Sequence, residues 1–228
     1  MVGFFVRVAV AALSLAAAFA TTPAAVAAQA AQAAPQRSEG ELLYTQGHYS
    51  EAMAWWTAHA AQGDIESARR LGMEYMDGKP WVVAQDYAKA RQYHLQAAMG
   101  GERRSMMDLG TLAESGFGVP ASLPEAARWY EWSAKYGYSP AQNNIATLLE
   151  TGEAGRKDEV EAYMYFILVA LDNAKLFGGP KPDLEHPPAD SEMAQLRPRL
   201  TPAQRADAKA RAQKFVPLSG PLPASENH

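Results

Sequence analysis

From Ser38 to Asn173 the chain repeats one arrangement of alanines and rings four times. An alanine, two residues and a pair of large rings recur as Ala52 with Trp55 and Trp56, Ala90 with Tyr93 and His94, Ala126 with Trp129 and Tyr130, and Ala162 with Tyr165 and Phe166. The alanines stand 38, 36 and 36 residues apart. Apolar residues three and four apart lie on one face of a helix. Eight residues after each first ring come Gly63, Gly101, Gly137 and finally Asn173, the residue types that most readily turn left-handed after a helix. Four helices are therefore expected to end in register.

A second set of columns precedes the last three ring pairs. Leu71-Gly72, Leu109-Gly110 and Ile145-Ala146 are each followed, six residues after the small residue, by Gly78, Gly116 and Gly152. Each unit thus reads as a first helix, a glycine-bearing loop and a second helix. The small residue lets the partner helix approach closely, and rings on the second helix fill the gap. The units run over about 38–63, 64–101, 102–137 and 138–173, and such a period predicts an all-α fold, a solenoid of stacked helix pairs. The second unit carries two extra residues around Lys79-Pro80-Trp81-Val82-Val83, an insertion that a surface loop absorbs cheaply.

Beyond Asn173, over 174–228, the repeat stops. Gly178-Gly179-Pro180-Lys181-Pro182 and His186-Pro187-Pro188 cannot continue a helix and read as an extended crossing segment. Asp190 to Arg197 suits a short helix. Thr201-Pro202-Ala203-Gln204 supplies a capping hydroxyl, a proline at the first helical position and a glutamine three residues after the cap, which predicts a helix over about 202–215. Its Ala203, Ala206 and Ala210, with Ala208, Ala212 and Phe215, are expected to cover the open end of the stack, as a solenoid requires.

Charge and composition add a compartment. Arg7 precedes an uncharged apolar run from Val8 to Ala20, with small-residue exits at Ala18-Phe19-Ala20 or Ala25-Val26-Ala27; this is the build of a cleaved secretory leader over 1–27. An uncleaved anchor, the other reading, would have to place Arg7 in the apolar layer. The Ala, Gln and Pro of 28–37 form a low-complexity linker. A periplasmic or secreted bacterial protein with no stable membrane span after cleavage is therefore expected. The chain has no cysteine, so packing alone must stabilise it, and a net charge of −4 argues against nucleic acid as a partner.

The pattern Leu71-Gly72-x-x-Tyr75-x-x-Gly78, then Lys89-Ala90-x-x-Tyr93, Ala97-Ala98 and Gly101, resembles the Sel-one-like repeat, a relative of the tetratricopeptide repeat. Gly116-x-Gly118-Val119 followed by Glu125-Ala126-x-x-Trp129-Tyr130 is similar to it again, while the shorter first unit, with Tyr44, Gly47 and Tyr49 in a tight turn, resembles a plain tetratricopeptide unit. The fourth unit departs from the pattern with Ala146 for glycine, Leu149 for tyrosine and Asn173 for glycine. The resemblance implies an α-α superhelix whose concave side binds a protein or peptide as a scaffold or adaptor, with no catalytic residues and no cofactor.

If first helices line that inner side, as the resemblance implies, the stripe away from the packing columns is Arg69, Met73 and Met76; Met107, Thr111 and Glu114; and Asn143, Thr147 and Glu150. Polar groups with adaptable methionines suit a groove for a peptide, and a solvated face is the competing reading. The recurring rings are expected in the core, with Trp81 and Trp132, outside the repeating pair, more exposed. His48, His59, His94, His186 and His228 are scattered, with no metal spacing, and no nucleophile motif or phosphate-cradling loop occurs. Arg197, Arg199, Arg205, Lys209, Arg211 and Lys214 against Asp207 make a basic end that either contacts an anionic cell-wall polymer weakly or is a solvated face. The expected function is a non-catalytic scaffold of the bacterial envelope; a peptidoglycan- or glycan-binding protein or enzyme is the alternative.

Overall fold

The computed structural model describes residues 38–223. The expected leader and linker lie outside the described residues. Among those residues the chain forms α1 (Glu39–Thr45), α2 (Tyr49–Ala60), α3 (Ile65–Asp77), α4 (Tyr87–Met99), α5 (Arg103–Ser115), α6 (Leu123–Lys135), α7 (Ser139–Thr151), α8 (Glu159–Leu176), α9 (Glu192–Leu196) and α10 (Pro202–Lys214), with a 3-10 turn at Arg197–Arg199. Beside one isolated bridge between Lys79 and Val83, there is no strand among the described residues. No helix among them is long and apolar enough to cross a membrane.

Local chemistry sets the helix starts. Asp64, Asp86, Glu102, Ser122, Asp158, Ser191 and Thr201 each cap the helix that follows, their side chains accepting from amides of its first turn. Each such cap contributes about 1 kcal/mol. At Thr201 the reciprocal bond from Gln204 is also made, the capping box expected from that tetrapeptide. Gly116 and Gly152 close α5 and α7 in the left-handed conformation, where a side chain would be strained.

The helices pack in sequence order as α1·α2, α3·α4, α5·α6 and α7·α8 hairpins, each also resting on the next, and α9 and α10 lie on α8. The small residues do what their spacing suggested. A Cβ on Gly72 would stand 2.7 Å from the His94 ring, and one on Gly110 would stand 2.5 Å from Tyr130. Gly40, which the repeat spacing did not pick out, plays the same part under Trp56, at 2.4 Å. Trp56, Trp129, Tyr130, Tyr165 and Phe166 are buried, whereas Trp55 and Tyr93 are half-buried, stacked on His59 and Tyr75.

Three expectations need correcting. The helix α8 does not end at Asn173 but runs to Leu176, because Ala174, Lys175 and Leu176 are good helix formers and the left-handed turn falls on Gly178 instead. The buried face of α10 is Ala208 and Ala212, four residues apart; Ala203, Ala206 and Ala210 face solvent, and Phe215 is half-buried. Trp132 is half-buried beside Ala98, Met106 and Leu109, with the Lys135 ammonium 4.9 Å from its ring centre. Trp81 alone of the two stands free in solvent, on backbone with φ of 70°.

Candidate protein-binding face

The first-helix stripe is laid down by α3, α5 and α7, and the structure places its nine residues in different situations. Arg69 is buried, at 6% exposure. Its Nε donates to Glu66 at 2.8 Å and its Nη1 reaches the Met73 sulfur at 2.9 Å, so its charge is engaged inside the stack. Met73, Met76, Met107, Thr111, Asn143 and Glu150 are half-buried, and Glu114 and Thr147 are exposed.

Four more of these polar groups have partners within the chain. The Tyr130 hydroxyl donates to Glu114 at 2.6 Å and lies 3.4 Å from Thr111 Oγ1, and burial together with that carboxylate holds the phenol well above its usual pKa. Thr111 and Thr147, one repeat apart, turn their hydroxyls back onto the carbonyls of Met107 and Asn143, at 3.3 and 3.1 Å. Glu150 accepts from Arg199 at 2.7 Å, so the C-terminal segment closes the α7 end of the stripe. What stays open to a partner is the thioethers of Met73, Met76 and Met107 and the Asn143 amide, on positions that recur at the repeat period.

Behind the stripe lies a titratable pair, the buried His94 and the half-buried Asp108. His94, fully buried on α4, sits 3.1 Å from Ser105 Oγ and 3.7 Å from the Asp108 carboxylate, both on α5. Burial, with the nearby Arg69 charge second, lowers the His94 pKa to about 4. Burial, with Glu102 second, raises Asp108 to about 7. A neutral histidine against a carboxyl that keeps its proton in mild acid is a structural polar joint. Reading His94 as a packing residue identified the ring, not its partner. The signal was available in register: Asp108 follows His94 by fourteen residues, as Asn144 follows Tyr130.

The basic end is largely neutralised within the chain. Arg197 and Lys209 both meet Glu185, Arg199 bridges Glu150 and Glu159, Arg211 meets Asp207, and Arg205 donates to the carbonyls of Arg197 and Leu200. The weak contact with an anionic polymer gains no support from a surface so compensated. Clefts in this part lie between α8 and the crossing segment, where Phe166, Val169, Pro182 and Pro187 meet, away from the stripe.

A stack of helix hairpins built on ring-over-glycine joints is an α-α solenoid. The model of the Sel1 repeat matches residues 65–102, 103–137 and 139–171. The chain therefore carries three Sel1 repeats. A crystal structure of a Sel1 repeat protein from Oxalobacter formigenes shares the fold, with a TM-score of 0.55 and 19% identity over 78% of this chain and 85% of that one. Among curated proteins, the rat "DAP3-binding cell death enhancer 1" is 40% identical over 70 residues, 31% of this chain and 14% of its own length. The "Chitin synthase regulator SKT5" of Malassezia restricta is 29% identical over 89 residues, 39% of this chain and 6% of its own. The chain thus spans only a small part of either relative.

Proposed function

We propose that this chain is a non-catalytic scaffold of the bacterial periplasm or cell envelope, exported by the leader over 1–27, that holds a protein or peptide along the first-helix stripe. The observation that carries this reading is the recurrence, at the repeat period, of accessible adaptable groups on α3, α5 and α7: Met73 and Met76, Met107 and Thr111, Asn143 and Thr147. Methionine reshapes to fit an apolar side chain, and the interspersed amide and hydroxyl groups supply partners for a peptide backbone. Arg69 supports the face from within, through Glu66 and Met73. Two matched relatives are named for acting on other proteins, one as DAP3-binding and one as a chitin synthase regulator, which fits a scaffold.

The test is capture of envelope proteins by the wild-type chain and by a double variant, Met76→Glu with Thr147→Arg, chosen at accessible positions outside the ring joints. A partner held by the wild type and lost from the variant, at unchanged helix content, is expected. An identical set of bound proteins would overturn the assignment of the face.

A further inference from the structure

After α10 the chain turns back along the stack. The Leu218 amide donates to the Lys135 carbonyl at 2.9 Å and the Leu222 amide donates to the Met99 carbonyl at 3.0 Å. Met99 and Lys135 are the last residues of α4 and α6, 36 residues apart and equivalent in the repeat, so the segment makes one backbone bond per unit. These are helix-end carbonyls, which lack an intrahelical amide. The segment reads Pro217-Leu218-Ser219-Gly220-Pro221-Leu222, a Pro-Leu pair repeated every four residues. Gly220, with φ of 85°, bends the segment between its two Pro-Leu pairs. The two backbone bonds place those pairs, four residues apart, on helix ends one repeat apart.

The stack is shaped to receive it. Gly101 and Gly137, in the equivalent turns after α4 and α6, lie directly under the segment: a Cβ on Gly101 would stand 2.0 Å from the Gly220 carbonyl oxygen, and one on Gly137 would stand 2.9 Å from Pro217. Tyr136 donates its hydroxyl to the Pro221 carbonyl at 3.2 Å. Leu222 is buried among Ala98, Met106, Leu109, Trp129 and Tyr136. At the matching turn of the first pair, Gly63 has the same backbone, with φ of 91°, yet a Cβ there would meet nothing within 4 Å among the described residues.

We infer that the edge where the second helices end is a second binding track, distinct from the first-helix stripe, which takes a partner segment carrying Pro-Leu pairs four residues apart with a glycine between them. Residues 215–223 are its resident ligand and hold the place of that partner. The leucine amides satisfy the helix-end carbonyls, the bend at Gly220 brings the second leucine to its carbonyl, and the glycine turns let the segment's backbone lie against the stack. The turn at Gly63, uncovered among the described residues, is the next equivalent position along the track.

The experiment titrates a fluorescent peptide of residues 215–223 into the full chain and into its Leu222→Asp variant, whose tail no longer seats. Tenfold or tighter binding to the variant than to the wild type is expected, because the resident segment has stopped competing. A peptide with one alanine inserted between Gly220 and Pro221, which breaks the period of four, is expected to lose that binding. Hydrogen exchange on the wild type should show protected Leu218 and Leu222 amides that open when the peptide is in excess. No binding to the variant up to millimolar peptide, equal binding of the shifted peptide, or unprotected leucine amides would each overturn the proposal. A wild-type dimer abolished by Leu222→Asp would identify the occupant as the tail of a second copy and overturn the partner reading. The first-helix stripe takes no part in these readouts, so either proposal can fail alone.

Discussion

Replacing Asp108 by Asn isolates one half of the buried His94–Asp108 joint. Asn has the shape of the protonated acid and cannot ionise. In the folded chain burial raises the Asp108 pKa from 3.8 to about 7. Well below pH 3.8 the carboxyl is protonated whether the chain is folded or not. As pH rises toward 7, the unfolded chain releases a proton that the folded chain keeps, so stability falls, by about 4 kcal/mol in all at about 1.4 kcal/mol per pH unit. His94 runs the other way: burial lowers its pKa from 6.5 to about 4, so its contribution is present above 6.5 and is lost as pH falls toward 4. Between pH 4 and 6.5 the two slopes oppose, since folding in effect hands a proton from the histidine to the aspartic acid. The wild type should show little net slope from this pair, and Asp108→Asn should expose the histidine half. Urea unfolding at pH 4.5, 5.5, 6.5 and 8 measures the difference between variant and wild type, which should climb in favour of the variant by about 1.4 kcal/mol per pH unit up to pH 7. A difference that stays constant with pH would refute the reasoning.

Other joints can be tested by simpler changes. Gly110→Val drives a side chain into Tyr130, where even a Cβ would stand at 2.5 Å, and should lower stability by about 1–3 kcal/mol in urea unfolding. Ala146, which already carries a Cβ at the equivalent position, should accept Ala146→Ser with a smaller loss. Thr201→Ala removes half of the capping box on α10 and should cost about 1 kcal/mol, seen as earlier fraying of α10 in hydrogen exchange.

The repeat was legible because the forces that build it act at fixed spacing. A glycine or alanine facing a ring, with a left-handed turn after each helix, leaves the same mark every 36 to 38 residues, as at Gly72 with His94 and Gly110 with Tyr130. Gly40 escaped because the loop between α1 and α2 is short, which puts it sixteen residues before Trp56 where the equivalent pairs are 20 or 22 apart. The end of α8 was misplaced because an asparagine stops a helix only when its neighbours also favour stopping, and those after Asn173 favour continuing. Asp108 was missed as a partner of His94 although its register marks it, because burial and not residue type makes that pair matter. The tail against Gly101 and Gly137 was hidden for a different reason: its period of four is unrelated to the helical period until both are seen along one edge. Of the stripe, the sequence named the positions; that Arg69 is buried and Glu150 closed by Arg199 depends on contacts between distant segments.

Site-directed photocross-linking tests the scaffold reading most directly. A benzophenone amino acid is placed at Thr147, exposed on the first-helix stripe, or at Arg128, exposed on α6 as the control. The account predicts one discrete covalent adduct with a protein from the native envelope at Thr147 and none at Arg128. Adducts at Arg128 alone, or equal labelling at both positions, would contradict it.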